Sequence, residues 1–202
     1  MMTPSRIFGL ALTGIAILGL PSTLRAEFPK DWGGGGEGYE LSRDETVKHG
    51  GKASGSVKAK DDAKNFGSLT SAFAAEKFKG KRLRMSAWVK TDNIEGFVGL
   101  WMRVDGREKI ALAFDNMQER PIKGTNDWKK YEVVLDIPDQ AEEIYFGFLV
   151  DGKGQGWVDD FSFEAVGNDV PKTSKDDLQP ADRVGELNSN LRKEPANLDF
   201  EK

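Results

Sequence analysis

The chain has 202 residues, of which 38% are hydrophobic and 23 are glycine, with no cysteine and a formal charge of −4. That length holds one ordinary domain with extensions. The lack of cysteine excludes disulfide staples, thiolate metal sites, a cysteine nucleophile and a lipidated N-terminal cysteine, and the mild acidity offers no basic patch for nucleic acid.

Residues 1–26 read as a secretory signal peptide. Met1–Arg6 carries a positive charge and no acid, Ile7–Leu20 is an apolar run of about 14 residues, and Leu24-Arg25-Ala26 ends on a small side chain. The run is short of the roughly 20 residues needed to span a bilayer, so a cleaved leader is expected rather than an anchor. Cleavage removes Arg6 and Arg25 and no acid, leaving 27 bases against 33 acids. A periplasmic or secreted protein with no membrane span is the expectation. Residues 27–38 follow as a glycine-rich lead-in.

From Tyr39 to Val166 short candidate strands alternate with turn signals, the pattern of an all-β sandwich or barrel. In chain order they are Gly38–Arg43, Ala53–Ala59, Phe66–Ala74, Arg82–Lys90, Phe97–Val104, Lys109–Asp115, Trp128–Asp136, Glu143–Val150 and Gly156–Glu164. Turns fall at His49-Gly50-Gly51, Lys79-Gly80-Lys81, Asp105-Gly106, Lys123-Gly124-Thr125, Pro138-Asp139 and Asp151-Gly152. Residues 167–202 are rich in Asp, Lys, Pro, Ser and Asn. Their composition predicts a flexible tail, with at most a short helix over Ala181–Leu191.

Alternation assigns the faces of these strands. Leu83, Met85, Ala87 and Val89 share one face, and Val98, Leu100, Met102 and Val104 another; both suit a core. Ile110, Leu112 and Phe114 are expected to point inward, as are Ile144, Phe146, Phe148 and Val150. The opposite faces pool Trp88, Trp101 and Tyr145 with Arg84, Arg103 and Asp115, and with small residues at Gly99, Ala111, Ala113 and Gly147. In one sheet these would form an aromatic-walled groove for a sugar-like polar ligand. If a loop or the tail covers that face, the same rings form a second small core.

Several stretches carry a resemblance. They are Val47–Ser54, Leu100–Gly106, Phe114–Gln118, Arg120–Trp128, Tyr131–Pro138 and Gly156–Phe161. Together they resemble the galactose-binding-like jelly-roll modules related to carbohydrate-binding modules, of the kind found beside bacterial S41-type peptidases, erythromycin-esterase-like enzymes and AraC-type regulators. The resemblance covers about residues 39–166. It implies an all-β, two-sheet antiparallel jelly-roll sandwich of about nine strands, a non-catalytic binding function, and a glycan ligand or a protein partner such as a separately encoded enzyme. The chain departs from the family pattern at its start. Related modules often open on Asn-Leu-x-Phe-Glu ahead of the first tryptophan, whereas here Asn197-Leu198-Asp199-Phe200-Glu201 stands at the other end.

No cofactor is required by this reading, but the resemblance implies a structural calcium near Asp159 and Asp160. Trp157, Phe161 and Phe163 are taken as core-facing, which puts Asp159 inward, and a buried carboxylate needs a partner. A β-bulge or loop amides would satisfy it equally well without a metal. His49, the single histidine, reads as a turn residue. No nucleophile elbow is present, and Gly33–Gly38 fits Gly-x-Gly-x-x-Gly only formally, since it follows no strand and opens no helix.

Overall fold

The computed structural model describes residues 28–107, 110–174 and 191–202. The signal-peptide segment, Lys109 and the sketched helix up to residue 190 lie outside the described residues. Among the described residues nine strands run in chain order: β1 (Gly33–Gly35), β2 (Tyr39–Asp44), β3 (Ser54–Ala59), β4 (Phe66–Ala74), β5 (Lys81–Asp105), β6 (Ala111–Asp115), β7 (Ile122–Ile137), β8 (Glu143–Asp151) and β9 (Gln155–Val166). Among the described residues the helix is a single 3₁₀ turn, Ala75–Phe78.

All pairings between these strands are antiparallel, and β5 organises them. Its first half, Arg82–Asp92, lies between β9 and β7, whereas its second half, Phe97–Asp105, pairs β8 along its length and β6 at its end. The first sheet therefore runs β1-β4-β8-β5-β6, and the second runs β2-β3-β9-β5-β7. The two are layers of one sandwich joined through a shared strand. The sequence reads this strand as two pieces, 82–90 and 97–104, but the chain between them stays extended. It turns the corner at Asn93, which takes a left-handed φ of 52°, and the β7 register slips there three times.

The core between the layers is the one the alternation indicates: Leu83, Met85, Ala87 and Val89 of β5, then Val98, Leu100, Met102 and Val104, facing Ile144, Phe146, Phe148 and Val150 of β8. Their complete burial is the main force holding the layers together, at about 25 cal/mol per Å² of apolar surface removed from water.

Two local features depart from the sequence reading. β1 is a glycine strand that pairs β4 from Gly33 to Gly35, in the stretch read as a turn-like lead-in. A Cβ on Gly34 would fall 2.0 Å from the Ser68 carbonyl oxygen, so the close approach to β4 needs glycine there. At the other end, composition predicts a tail from 167 onward. Instead Thr173 donates its N–H to the Val134 carbonyl at the β7 edge and accepts the Val134 N–H on Oγ1, Ala74 donates its N–H to the Arg192 carbonyl, and Phe200 is fully buried. A few well-placed anchors hold these residues, which average composition does not register.

Candidate functional site

The six residues proposed as a ligand groove do not come together on one face. They fall into three places.

Trp101, Tyr145 and Arg103 lie on the outer face of the first sheet. Trp101 stands opposite Gly147 on β8, and Arg103 stands opposite Tyr145. The Trp101 ring lies over Gly147, where a Cβ would sit 2.7 Å from its Nε1. Trp101 Nε1–H donates to Ser68 Oγ at 2.9 Å. With Leu149 these two rings form a second buried cluster, rimmed by part-buried Ala72, Phe97 and Phe114. Trp101 is 8% exposed and Tyr145 2%, so the deep part of the face is a packed satellite core.

Beside the rings sits a charged pair. Arg103 Nε–H donates to Asp105 Oδ1 at 2.7 Å, with side-chain exposures of 2% and 1%. The Tyr145 hydroxyl donates to Glu143 Oε2 at 2.5 Å. A buried ion pair is costly to desolvate and is retained only with good geometry around it. One edge of the aromatic cluster is thus lined by Arg103, Asp105, Glu143 and Tyr145.

Asp115 is elsewhere. The β5–β6 register shifts between Val104 and Asp105, which reverses the expected phase of β6. Phe114 therefore turns outward to the aromatic rim, and Ala113 packs on the main core. Asp115 accepts hydrogen bonds from the Met117 amide at 2.8 Å, from Arg120 at 2.7 and 3.0 Å, and from Thr173 Oγ1 at 2.5 Å. It is a strut for the 116–120 loop, not a ligand-facing group. That loop also fills the expected floor at Gly99, where a Cβ would lie 2.5 Å from the Asn116 carbonyl oxygen. Sequence alternation cannot detect a bulge of this kind, since one inserted residue inverts every later side chain.

Trp88 and Arg84 lie on the opposite side of the sandwich, on the outer face of the second sheet. Arg84 pairs with Glu164 at 2.6 Å as a surface ion pair. Trp88 is half-buried and stacks on His49, with ring centroids 4.0 Å apart and planes 13° from parallel. Trp128 meets the same imidazole edge-on at 5.8 Å. His49 Nδ1 contacts Asp160 Oδ2 at 2.7 Å. Thus His49 is more than a turn residue: it is the hub of a ring stack, a role that a lone histidine in a glycine turn does not announce.

The acidic pair is explained by the same loop. Trp157 takes the phase opposite to the one expected, and its Nε1–H donates to Asp44 Oδ2 at 2.8 Å. A bulge follows: Asp160 adopts a left-handed φ of 51°, and the β5–β9 register shifts between Ser86 and Trp88. Phe161 and Phe163 thereby return to the core, while Asp159 sits outside it but beneath the 47–52 loop. Asp159 Oδ2 accepts the His49 and Gly50 amides at 2.9 and 3.2 Å, and Oδ1 accepts the Asp160 amide at 2.8 Å. Burial raises its pKa from 3.8 to about 6 despite these donors, with the neighbouring Asp160 charge adding to the rise. Three N–H donors already engage the Asp159 oxygens that would have to coordinate a cation. No group of three or more His, Cys, Asp or Glu side chains converges among the described residues. The donor set at Asp159 and Asp160 does not fit the calcium that the resemblance implies, and the carboxylate serves as a staple for the loop.

Comparison with solved structures places the fold. The chain superposes on the CBM22-1 xylan-binding domain from Paenibacillus barcinonensis Xyn10C with a TM-score of 0.50 at 13% identity, covering 69% of this chain and 88% of that domain. It also superposes on the enzymatically active domain of bacteriophage CBA120 tailspike protein 4, with a TM-score of 0.53 at 14% identity, covering 68% and 20% of the two chains. At these identities the likeness is one of fold: a β-sandwich of the kind seen in carbohydrate-binding modules. No family model matches the chain.

In sequence the chain is 40% identical over 165 residues to YbfP of Bacillus subtilis (strain 168), named an uncharacterized HTH-type transcriptional regulator. The match takes in 81% of this chain, which necessarily includes most of the sandwich, and the chain spans about half the length of that relative. No helix of the described residues is long and apolar enough to cross a membrane.

Proposed function

We propose that the chain is an exported, non-catalytic recognition module that binds a carbohydrate or similar polar ligand on the outer face of its first sheet. The observation that carries this reading is the pairing of an aromatic cluster with a buried ion pair on an outward-facing sheet surface. A satellite core formed only for stability has no use for Arg103 and Asp105, since apolar residues of the same volume would pack there at no desolvation cost. Aromatic rings supply apolar faces for pyranose rings, and the Arg103, Asp105, Glu143 and Tyr145 edge supplies donors and acceptors for hydroxyls. Phe97 and Phe114 form the part-exposed rim of this cluster, against which a ligand would pack. The fold shared with a xylan-binding domain supports the ligand class. The long sequence match to part of a transcriptional regulator supports a recognition role rather than a reaction.

The test is a glycan array probed with residues 27–202, followed by titration of the best binder against three variants. Trp101→Phe and Tyr145→Phe are expected to weaken binding at least tenfold while the protein keeps a cooperative thermal transition. Trp88→Ala, on the opposite face, is expected to leave affinity unchanged. A folded protein that binds nothing on the array, or binding lost only in Trp88→Ala, overturns this assignment of the site.

A second reading is a docking domain for a separately encoded protein. It is favoured by the longer relative, in which a similar stretch is one part of a larger chain. Co-purification of a single stoichiometric partner from the native extract, abolished by changes on the same face, would establish it.

A further inference from the structure

The segment Asn197–Lys202 is held in the sandwich much as a bound peptide is held in a receptor. It contributes no strand to either sheet. Its hold on the sandwich is one buried ring, two side-chain clamps and a few single backbone bonds. The Phe200 ring is fully buried, stacks on Trp32 at 4.8 Å, and lies 6.4 Å from Phe161. The slot is cut to fit it: a Cβ on Gly55 of β3 would fall 2.6 Å from the Phe200 ring.

Asn197 is the first clamp. Its Nδ2 donates to the carbonyls of Lys30 at 2.7 Å and Lys202 at 3.0 Å, and its own carbonyl accepts Trp32 Nε1–H at 2.9 Å. Glu201 is the second. Its Oε1 accepts the Lys52 and Ala53 amides at 2.5 and 3.3 Å, which holds its pKa below the ordinary carboxylate range. Between them the Phe200 carbonyl accepts Arg43 Nε–H at 2.6 Å, and the Leu198 carbonyl accepts the Phe161 amide at 2.9 Å. Asp199 and Lys202 point to solvent.

Much of the recognition is made with backbone atoms of the receiving walls, and the specificity comes from an Asn, an aromatic three residues on, and a carboxylate directly after it. Both Asn197 and Phe200 take left-handed φ values, 48° and 54°. For an aromatic residue that conformation is unfavourable and persists only when its surroundings impose it. The walls dictate the shape of the segment rather than the reverse.

We infer that the slot bounded by Trp32, Gly55, Phe161 and the Lys52-Ala53 amides is an exchangeable peptide site for an Asn-x-x-Phe-Glu segment, filled here by the chain's own residues. A second chain carrying the motif competes for the same place. The test uses full-length Phe200→Ala, whose own segment has lost its anchor, titrated with a fluorescent peptide of the Pro195–Lys202 sequence. Saturable binding is expected to be at least tenfold tighter to the variant than to the unmodified chain, and absent for the same peptide carrying Phe200→Ala. A folded variant that binds neither peptide, or equal binding by variant and unmodified chain, overturns the inference. If Phe200→Ala lacks a thermal transition by itself, adding the peptide is expected to restore one and the altered peptide is not. Failure to restore it overturns the inference equally.

Discussion

The two outer faces of this sandwich start from the same sequence pattern and end differently. On β5, Trp88 and Trp101 each occupy the phase opposite the core, each two residues from a basic side chain, Lys90 and Arg103. Trp101 lies over a glycine, bonds Ser68 and is almost fully enclosed. Trp88 lies under a histidine on the far side of the molecule and remains half-buried. Nothing within either strand decides this. The corner at Asn93 sends the two halves to different sheets, and loops from distant parts of the chain cover each face differently. A period-two pattern therefore shows which side chains leave the core, whereas what they meet outside it is set by non-local contacts.

Mutations can break this contrast in order of expected size. Gly147→Val would drive a side chain into the Leu69 carbonyl, 2.0 Å from an ideal Cβ, and into the Trp101 ring. It is expected to abolish cooperative unfolding in urea, since neither neighbour can yield without separating β4 or displacing the ring. Arg103→Ala leaves Asp105 as a buried charge that has lost its close cation, and about 3–5 kcal/mol of stability should be lost in denaturant titration. Trp101→Ala opens a cavity in a packed cluster and is expected to cost about 3–5 kcal/mol by the same measurement.

Asp159 sharpens the comparison from the second face. Its folded pKa is raised to about 6 from 3.8. The stability it contributes is therefore fully present below pH 3.8 and is lost as pH rises through 6, a difference of about 3 kcal/mol. Subtracting the stability–pH profile of Asp159→Asn from that of the unmodified protein should leave a step in this window. An unchanged profile would show that the carboxylate is not desolvated under the loop. The smallest effect is expected for Trp88→Ala, about 1–2 kcal/mol for a half-exposed ring.

Much of the fold is legible from the residues alone. The nine-strand sandwich, the boundaries of β4 and the core faces of β5 and β8 follow from alternation and turn chemistry, because the β4–β8 and β5–β8 ladders run without interruption. The misreadings share one cause. The phase of β6, the continuity of β5 and the side taken by Trp157 and Asp159 are each altered by a bulge or a left-handed residue, at Val104/Asp105, Asn93 and Asp160. A one-residue irregularity leaves no trace in composition but inverts every face beyond it. The candidate site was legible only as a set of residue types, since Trp88 and Trp101 cannot be assigned to separate sheets without knowing where β5 turns. The burial of Phe200 was hidden for another reason: its partners, Trp32 and Gly55, are far away in the chain.

That last contact carries a kinetic consequence. Joining Trp32 to Phe200 closes a loop of nearly the whole domain, and such distant pairings are made late because the entropy of closure is met before any packing is gained. The sheets can assemble while the slot is still empty. The core cannot be completed, however, until residue 200 has left the ribosome, so the nascent chain holds an unfinished hydrophobic opening up to that point. Completion of the core is timed by the arrival of Phe200, not by the pairing of the sheets.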